Sequence, residues 1–421
     1  LPMATMLGRQ DWVVQVADDE HTALSSRDTS VFAPHHSIRE HHRIDTGQVA
    51  TVTLRERILA VYAGQTPDLA PCMLDLSHWF YWKTGRPWDL SQPYAQPEHD
   101  LINFHREKGV GFYMPNMAAF YEATHADHVV SHVDKIQRDG VPEIVWRLET
   151  PRGAIERRRI WEPLTYAWGI SRWGIETETD LLVLADALSS RRYTSDWSQW
   201  RQWDNCVGDT GIIYLSAGYS AMGYLLNYWM GIEATMYATV DMPAVLEETV
   251  TRINDNQLEL IDLLCQSPAQ VIIMGDNFSS DIQPPHFFER WSKPYYAEAI
   301  RRLHAAGKYV AIHIDGKLQG ALGMFREIGA DCADAVTPPP LGDLTPAACR
   351  QEAGEMILSG GVSPELWLEQ TPVETFDAFA QQWLTLGSTS SRFIVNAGDQ
   401  VPPGAVESRI ERLRQIVESS A

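Results

Sequence analysis

Apolar positions along the chain follow two rhythms. From Thr53 the segment Leu54-Arg55-Glu56-Arg57-Ile58-Leu59-Ala60-Val61-Tyr62 repeats with helical spacing and stops at Gly64. Beyond it, short apolar runs alternate with longer helical stretches. The runs are 70–76, 111–114, 211–216, 271–275, 309–314, 332–336, 356–359 and 392–396. Helical stretches lie between them at 243–265, 285–306, 318–328 and 373–386. Pro243 suits the first turn of its helix, where a missing N–H costs nothing. Eight buried strands alternating with helices predict an α/β protein, a parallel sheet closed into a (β/α)8 TIM barrel over 53–421. The second rhythm has period two. It covers about 128–170, through Ile144-Val145-Trp146-Arg147-Leu148-Glu149 and Ile155-Glu156-Arg157-Arg158-Arg159-Ile160-Trp161, around Pro151-Arg152-Gly153. This predicts a β-hairpin inserted after the second barrel strand.

Residues 1–52 form a polar N-terminal extension that holds five of the fourteen histidines: His21, His35, His36, His41 and His42. It reads either as a solvated arm, packed on a partner subunit, or as a metal-binding tract. The 421 residues carry 34 Lys and Arg against 55 Asp and Glu, a formal charge of −21. Such a balance disfavours nucleic acid and anionic lipid as partners, because phosphate binding needs clustered cations. No run approaches the length of a membrane span, and no charged-then-apolar leader opens the chain. Cys72, Cys206, Cys265, Cys332 and Cys349 are scattered, odd in number and free of any Cys-x-x-Cys pair. They read as reduced thiols of a cytoplasmic protein and exclude an all-thiolate zinc ribbon. There is no Gly-x-Gly-x-x-Gly after a strand and no Walker-type loop, so nucleotide binding has little support.

In a barrel of this kind, functional groups project from the C-terminal ends of the strands. The first strand ends in Asp75-Leu76-Ser77-His78 and the 271 strand in Asp276-Asn277. The 309 strand ends in His313-Ile314-Asp315, Asp334 lies on the next strand, and Gly398-Asp399 follows the last. His313 and Asp315, two apart on a strand, face one side. With Asp334 and Asp399 they could hold zinc, iron or manganese. The plainer reading is a hydrogen-bonded core histidine with helix-capping aspartates. The aromatic segment His78-Trp79-Phe80-Tyr81-Trp82 either walls an apolar substrate pocket or packs in the core. Tyr224, Tyr228 and Trp229, at helical spacing, read as core.

The segments Asp75-Leu76-Ser77-His78-Trp79-Phe80-Tyr81, Gly275-Asp276-Asn277-Phe278-Ser279-Ser280, Thr337-Pro338-Pro339-Pro340-Leu341-Gly342-Asp343 and Val401-Pro402-Pro403-Gly404 resemble the uroporphyrinogen decarboxylase superfamily. Within it they are most similar to the methyltransferase branch that works with corrinoid proteins, and there to members that demethylate methoxylated aromatics. The resemblance runs from about Thr53 to the C-terminus and implies the same barrel. The early Arg-Gln-Ala-Gly-Arg motif that grips porphyrin carboxylates in the decarboxylases is replaced here by Asp75-Leu76-Ser77-His78-Trp79. A tetra-acid porphyrin is therefore a poor fit. Where thiol-activating methyltransferases carry His-x-Cys and a later Gly-Cys as zinc ligands, this chain has His313-x-Asp315 and Gly398-Asp399. Carboxylates are harder donors than thiolates and leave a divalent metal, zinc first, a stronger Lewis acid.

The resemblance thus implies transfer of a methyl group from a methoxylated small molecule to a corrinoid acceptor. His313, Asp315 and Asp399 would hold a metal or orient an acid as the electrophile. Asp334 would support them, and Asp276 and Asn277 would position the substrate with Asp75, His78, Trp79 and Tyr81. The corrinoid would come on a partner protein or free, since the cobalt-ligating Asp-x-His-x-x-Gly pattern is absent from this sequence. A homodimer is implied in the same way. The alternatives are a decarboxylase or other lyase of the same superfamily, working by carboxylate proton transfer, and a non-catalytic carrier of metal or methyl groups.

Overall fold

The computed structural model describes residues 52–86, 96–113 and 120–420. The His-rich arm at 1–51 and Met114 lie outside the described residues. The strands among them are β1 (Tyr121–Thr124), β2 (Val130–Arg138), β3 (Val141–Thr150), β4 (Gly153–Glu162), β5 (Ala167–Arg172), β6 (Arg192–Ser195), β7 (Tyr214–Ser216), β8 (Val271–Phe278), β9 (Tyr309–Ile314), β10 (Cys332–Val336), β11 (Ile357–Gly361) and β12 (Phe393–Asn396).

Strands β7 to β12 form one parallel sheet in sequence order, each joined to the next by a helical crossover. Parallel strands covered on both faces need near-continuous apolar runs, and Tyr309–Ile314 and Cys332–Val336 supply them. The sheet's two edges are linked through two short segments. Met73 N donates to Val395 O at 2.9 Å, Leu74 N to Gly111 O at 3.0 Å, and Tyr214 N to Tyr113 O at 2.9 Å. Eight parallel segments therefore stand side by side in the predicted order. At this seam they meet through isolated bridges, not a continuous ladder. Glycine marks the closest approaches, since a Cβ at Gly211 would lie 1.8 Å from Phe112 O and one at Gly360 2.0 Å from Val336 O.

Apolar residues fill the space inside the strands (Met73, Ile212, Ile273, Ala311, Ile357, Ile394) and between the strands and the helices. Helix Leu54–Tyr62 starts at a capping box formed by Thr53 and Glu56. Helix Pro243–Cys265 carries Pro243 in its first turn, as its sequence suggests.

The insertion is larger than a hairpin. Strands β2 to β5 form a four-stranded antiparallel meander, and β1 pairs with β6 beside it. The predicted turn at Pro151-Arg152-Gly153 connects β3 to β4. Of the four strands β4 alternates most clearly in burial. In β2 five consecutive exposed positions blur the period. Leu148 and Ile155 pack against Leu181, Leu184 and Leu188 of helix Glu178–Leu188, which ties the inserted sheet to the body.

Candidate active site

The register of β9 and β10 pairs His313 with Asp334. Their side chains meet, His313 Nδ1 to Asp334 Oδ2 at 3.2 Å, both at most 1% exposed. Two bulges shape the same end of the sheet. The β8–β9 register shifts between Met274 and Phe278, and the β10–β11 register between Ala333 and Val336. Inside them Asn277 and Ala335 hold φ of 49° and 63°. Non-glycine residues in that region cost of order 1–3 kcal/mol each and gather where a side chain must be re-aimed. Each stands immediately after an acid, Asp276 and Asp334 respectively.

Asp75 lies across an isolated bridge from Gln400, and its Oδ1 accepts from Ser77 N at 2.8 Å and Ser77 Oγ at 2.5 Å. Asp399 follows Gly398, whose φ of 79° suits glycine, and a Cβ at Gly398 would press on Thr337 Oγ1 at 2.9 Å. Asp75 Oδ2, Asp334 Oδ1 and Asp399 Oδ1 are buried and have no hydrogen-bond partner.

The electrostatics knit these groups into one cluster. Burial and the neighbouring Asp315 push Asp399 up to about 8, against the pull of His313. Burial raises Asp315 as well, again opposed by His313. Burial pulls the His313 imidazole down, but Asp334, Asp399 and Asp315 together outweigh it and hold it above its usual value. Asp75 is pushed up to about 6 by burial, moderated by Ser77 and Gln400. Tyr113 stands against Asp334 and Asp75 and bonds Asn396. Neither Tyr113 nor Asn396 stands out in the sequence. Both end barrel strands, so reading the last residue of every strand would have found them.

The remaining expected site residues have other duties. Asp276 takes the Ser220 N–H at 2.7 Å and the Ser220 hydroxyl, so it anchors the start of helix Ala221–Tyr224. Asn277 is partly exposed at the same turn. His78 Nε2 bonds Tyr166 O at 3.0 Å, latching the β4–β5 turn to the rim of the barrel. Trp79 is 1% exposed, donates to Ala405 O at 3.0 Å and packs on Phe104, within the apolar layer between helices and barrel. Tyr81 donates to Glu98 at 2.9 Å, and burial pushes Glu98 up to about 8. Helix Ser77–Thr84 buries residues 77 to 81 all round, so these aromatics serve packing first.

His313, Asp315 and Asp399, the expected metal ligands, act on one another electrostatically at the strand ends. Among the described residues no three His, Cys, Asp or Glu side chains stand together so as to hold a metal. All five cysteines are free, as expected. No helix among the described residues is long and apolar enough to cross a membrane.

The family model for uroporphyrinogen decarboxylase (URO-D) matches residues 213–420, from the start of β7 to the last helix. The chloroplastic uroporphyrinogen decarboxylase 1 of Oryza sativa subsp. japonica is 25% identical over 171 residues. That match spans 40% of this chain and 40% of the length of that relative. A methyltransferase from Methanosarcina mazei superposes with a TM-score of 0.59 at 14% identity, over 88% of this chain and 99% of that one. At that identity the likeness speaks for the fold. The sequence similarity to the uroporphyrinogen decarboxylase family is confined to residues 213–420, and the structural likeness shows the fold.

Proposed function

We propose that the protein removes a methyl group from a small methoxylated compound and passes it to a corrinoid acceptor, with a buried carboxylic acid as the electrophile. The observation that carries this reading is the acid cluster, whose buried carboxylates Asp75, Asp334 and Asp399 each keep an oxygen unpaired at the strand C-termini. The corrinoid, on a partner protein or free, would supply the nucleophile for the methyl carbon. The chain supplies the proton.

Cleaving the methyl–oxygen bond leaves the electron pair on oxygen, and that charge must be quenched. Asp399, held protonated by its dry surroundings and by Asp315, donates to the ether oxygen as the bond breaks. The product leaves as an alcohol or phenol. Asp399 is then a carboxylate, stabilised by the His313 imidazole. Asp334 accepts from His313 Nδ1 and so fixes the ring's orientation and tautomer. Asp75, oriented by Ser77, closes the cluster on the other side. Asp276 works through Ser220 as a positioning residue, and Asn277 faces the entry.

The family match favours a second reading, decarboxylation of a small carboxylated substrate. The same acid would protonate the carbon left by departing carbon dioxide. The test supplies 4-methoxybenzoate with reduced cobalamin and measures phenolic product, methylated cobalamin and carbon dioxide together. Phenol and methyl transfer in equal amounts, both abolished in Asp399→Asn, are expected. Carbon dioxide without methyl transfer would overturn demethylation in favour of decarboxylation.

A further inference from the structure

The inserted sheet holds a buried guanidinium that no carboxylate answers. On β4 the inward positions run Ile155, Arg157, Arg159. Arg157 is 5% exposed. Its Cζ lies 3.9 Å from the ring centre of Trp146, 4.3 Å from that of Tyr228 and 5.3 Å from that of Trp229. Its Nε and Nη1 have no hydrogen-bond partner. Glu156 pairs with Arg158 and Arg172, and the buried Glu143 faces Arg138 and Arg158 at 3.8 Å, its Oε2 without a hydrogen bond.

An unpaired buried cation is expensive, and aromatic faces return only part of the cost. They answer the charge but not the N–H donors, which need an acceptor. The patch also adjoins the mouth of the barrel. Arg159 Nη2 reaches Asn227 O at 3.4 Å, and Asn227 Nδ2 donates to Asp276 O at 2.8 Å, at the end of β8.

We propose that Arg157, backed by Arg159, is the anion-recognising residue of a binding site under the inserted sheet, and that its ligand is an organic carboxylate on a flat apolar body. The planar fork of a guanidinium matches a carboxylate in two parallel hydrogen bonds. Trp146 and Tyr228 lie against the guanidinium and hold its plane, and Trp229 beside them offers apolar surface to the rest of the ligand. Burial pushes the guanidinium down to about 10, which leaves it charged at neutral pH. In its role, though not in its binding, the site rests on the demethylation reading, whose substrate it would hold.

The test is calorimetric titration of the full chain with 4-methoxybenzoate and with 4-methoxybenzamide, its uncharged counterpart of similar shape. Wild type is expected to bind the benzoate at least about tenfold more tightly, since only it satisfies the cation. Arg157→Gln is expected to lose that preference while binding the benzamide within about twofold of wild type. Arg157→Lys keeps the charge but not the fork, and its preference is expected to fall between the two. Equal binding of both probes by wild type, or a preference that survives unchanged in the variants, overturns the proposal. Melting curves identify any variant that does not fold, and the ratio is then read from the other. Binding needs no turnover. A wild type that prefers the benzoate yet transfers no methyl group would defeat the demethylation reading and leave the site standing.

Discussion

Two buried regions of this molecule face the same chemical problem with opposite signs. At the strand ends, Asp75, Asp334 and Asp399 each present an unsatisfied acceptor. Under the inserted sheet, Arg157 presents unsatisfied donors. The carboxylates can shed their charge, and Asp399 at about 8 and Asp75 at about 6 show burial driving them that way. A guanidinium cannot, so Arg157 leans on aromatic faces instead. An Arg–Asp pair would have satisfied both regions at once. Keeping them apart leaves acids and bases that only a bound molecule can complete. The proposed ligands would supply the missing partners in both regions.

The comparison breaks first at Asp399. Asp399→Asn keeps the shape and removes the acidic proton, so methyl transfer is expected to drop by about 10²- to 10⁴-fold. Product release at pH 7 measures it, and an unchanged rate would remove Asp399 from the mechanism. In wild type the rate is expected to fall as pH rises through about 8, where Asp399 loses its proton.

The next largest effect is on stability. Asp399 and Glu98 are both raised, each to about 8, from their ordinary values of 3.8 and 4.5. Between those limits the folded chain holds protons that the unfolded chain has released. Their contribution is therefore fully present at acid pH and is lost as pH rises toward 8. Asp399→Asn should flatten the decline by up to about 1.4 kcal/mol per pH unit, the weight of one proton, in denaturant titrations run from pH 5 to 8.

Arg157→Met sharpens the contrast from the other side. Removing an unpaired buried cation is favourable, while losing the cation–π contacts is not. The balance is expected to lie between no change and a gain of about 2 kcal/mol in unfolding free energy. A large loss of stability would instead make Arg157 a structural keystone. The smallest effect is expected at the latch between the regions. His78→Ala removes one hydrogen bond to Tyr166 O, costs about 1 kcal/mol, and should speed amide exchange in β4 and β5.

Much of the barrel was legible because its strands are apolar through and through. The runs at 309–314 and 332–336 match their strands residue for residue. His313 and Asp334 were legible as strand-end groups, and their direct pairing follows from the parallel register. What stayed hidden depends on long-range packing. Nothing local distinguishes a tryptophan that walls a pocket from one that fills a core, and Trp79 turned out to pack against Phe104. The alternation of 155–161 was plain, but it does not say which of its faces is buried. Only the aromatic cluster of Tyr228 and Trp229, far along the chain, makes the inward positions of Arg157 and Arg159 intelligible.

The seam between the edges of the sheet has an evolutionary reading. The family similarity begins at residue 213, one position before β7, where the unbroken ladder also begins. The two earlier barrel segments, near Met73 and Phe112, join that ladder through isolated bridges. Such a junction places few demands on register, so the segments between them can be lengthened or given a new sheet without disturbing the ladder from β7 to β12. The inserted strands and their arginines sit in that freely drafted part. Substitutions in the inserted strands are accordingly expected to change what is bound while leaving the register from β7 to β12 as it stands.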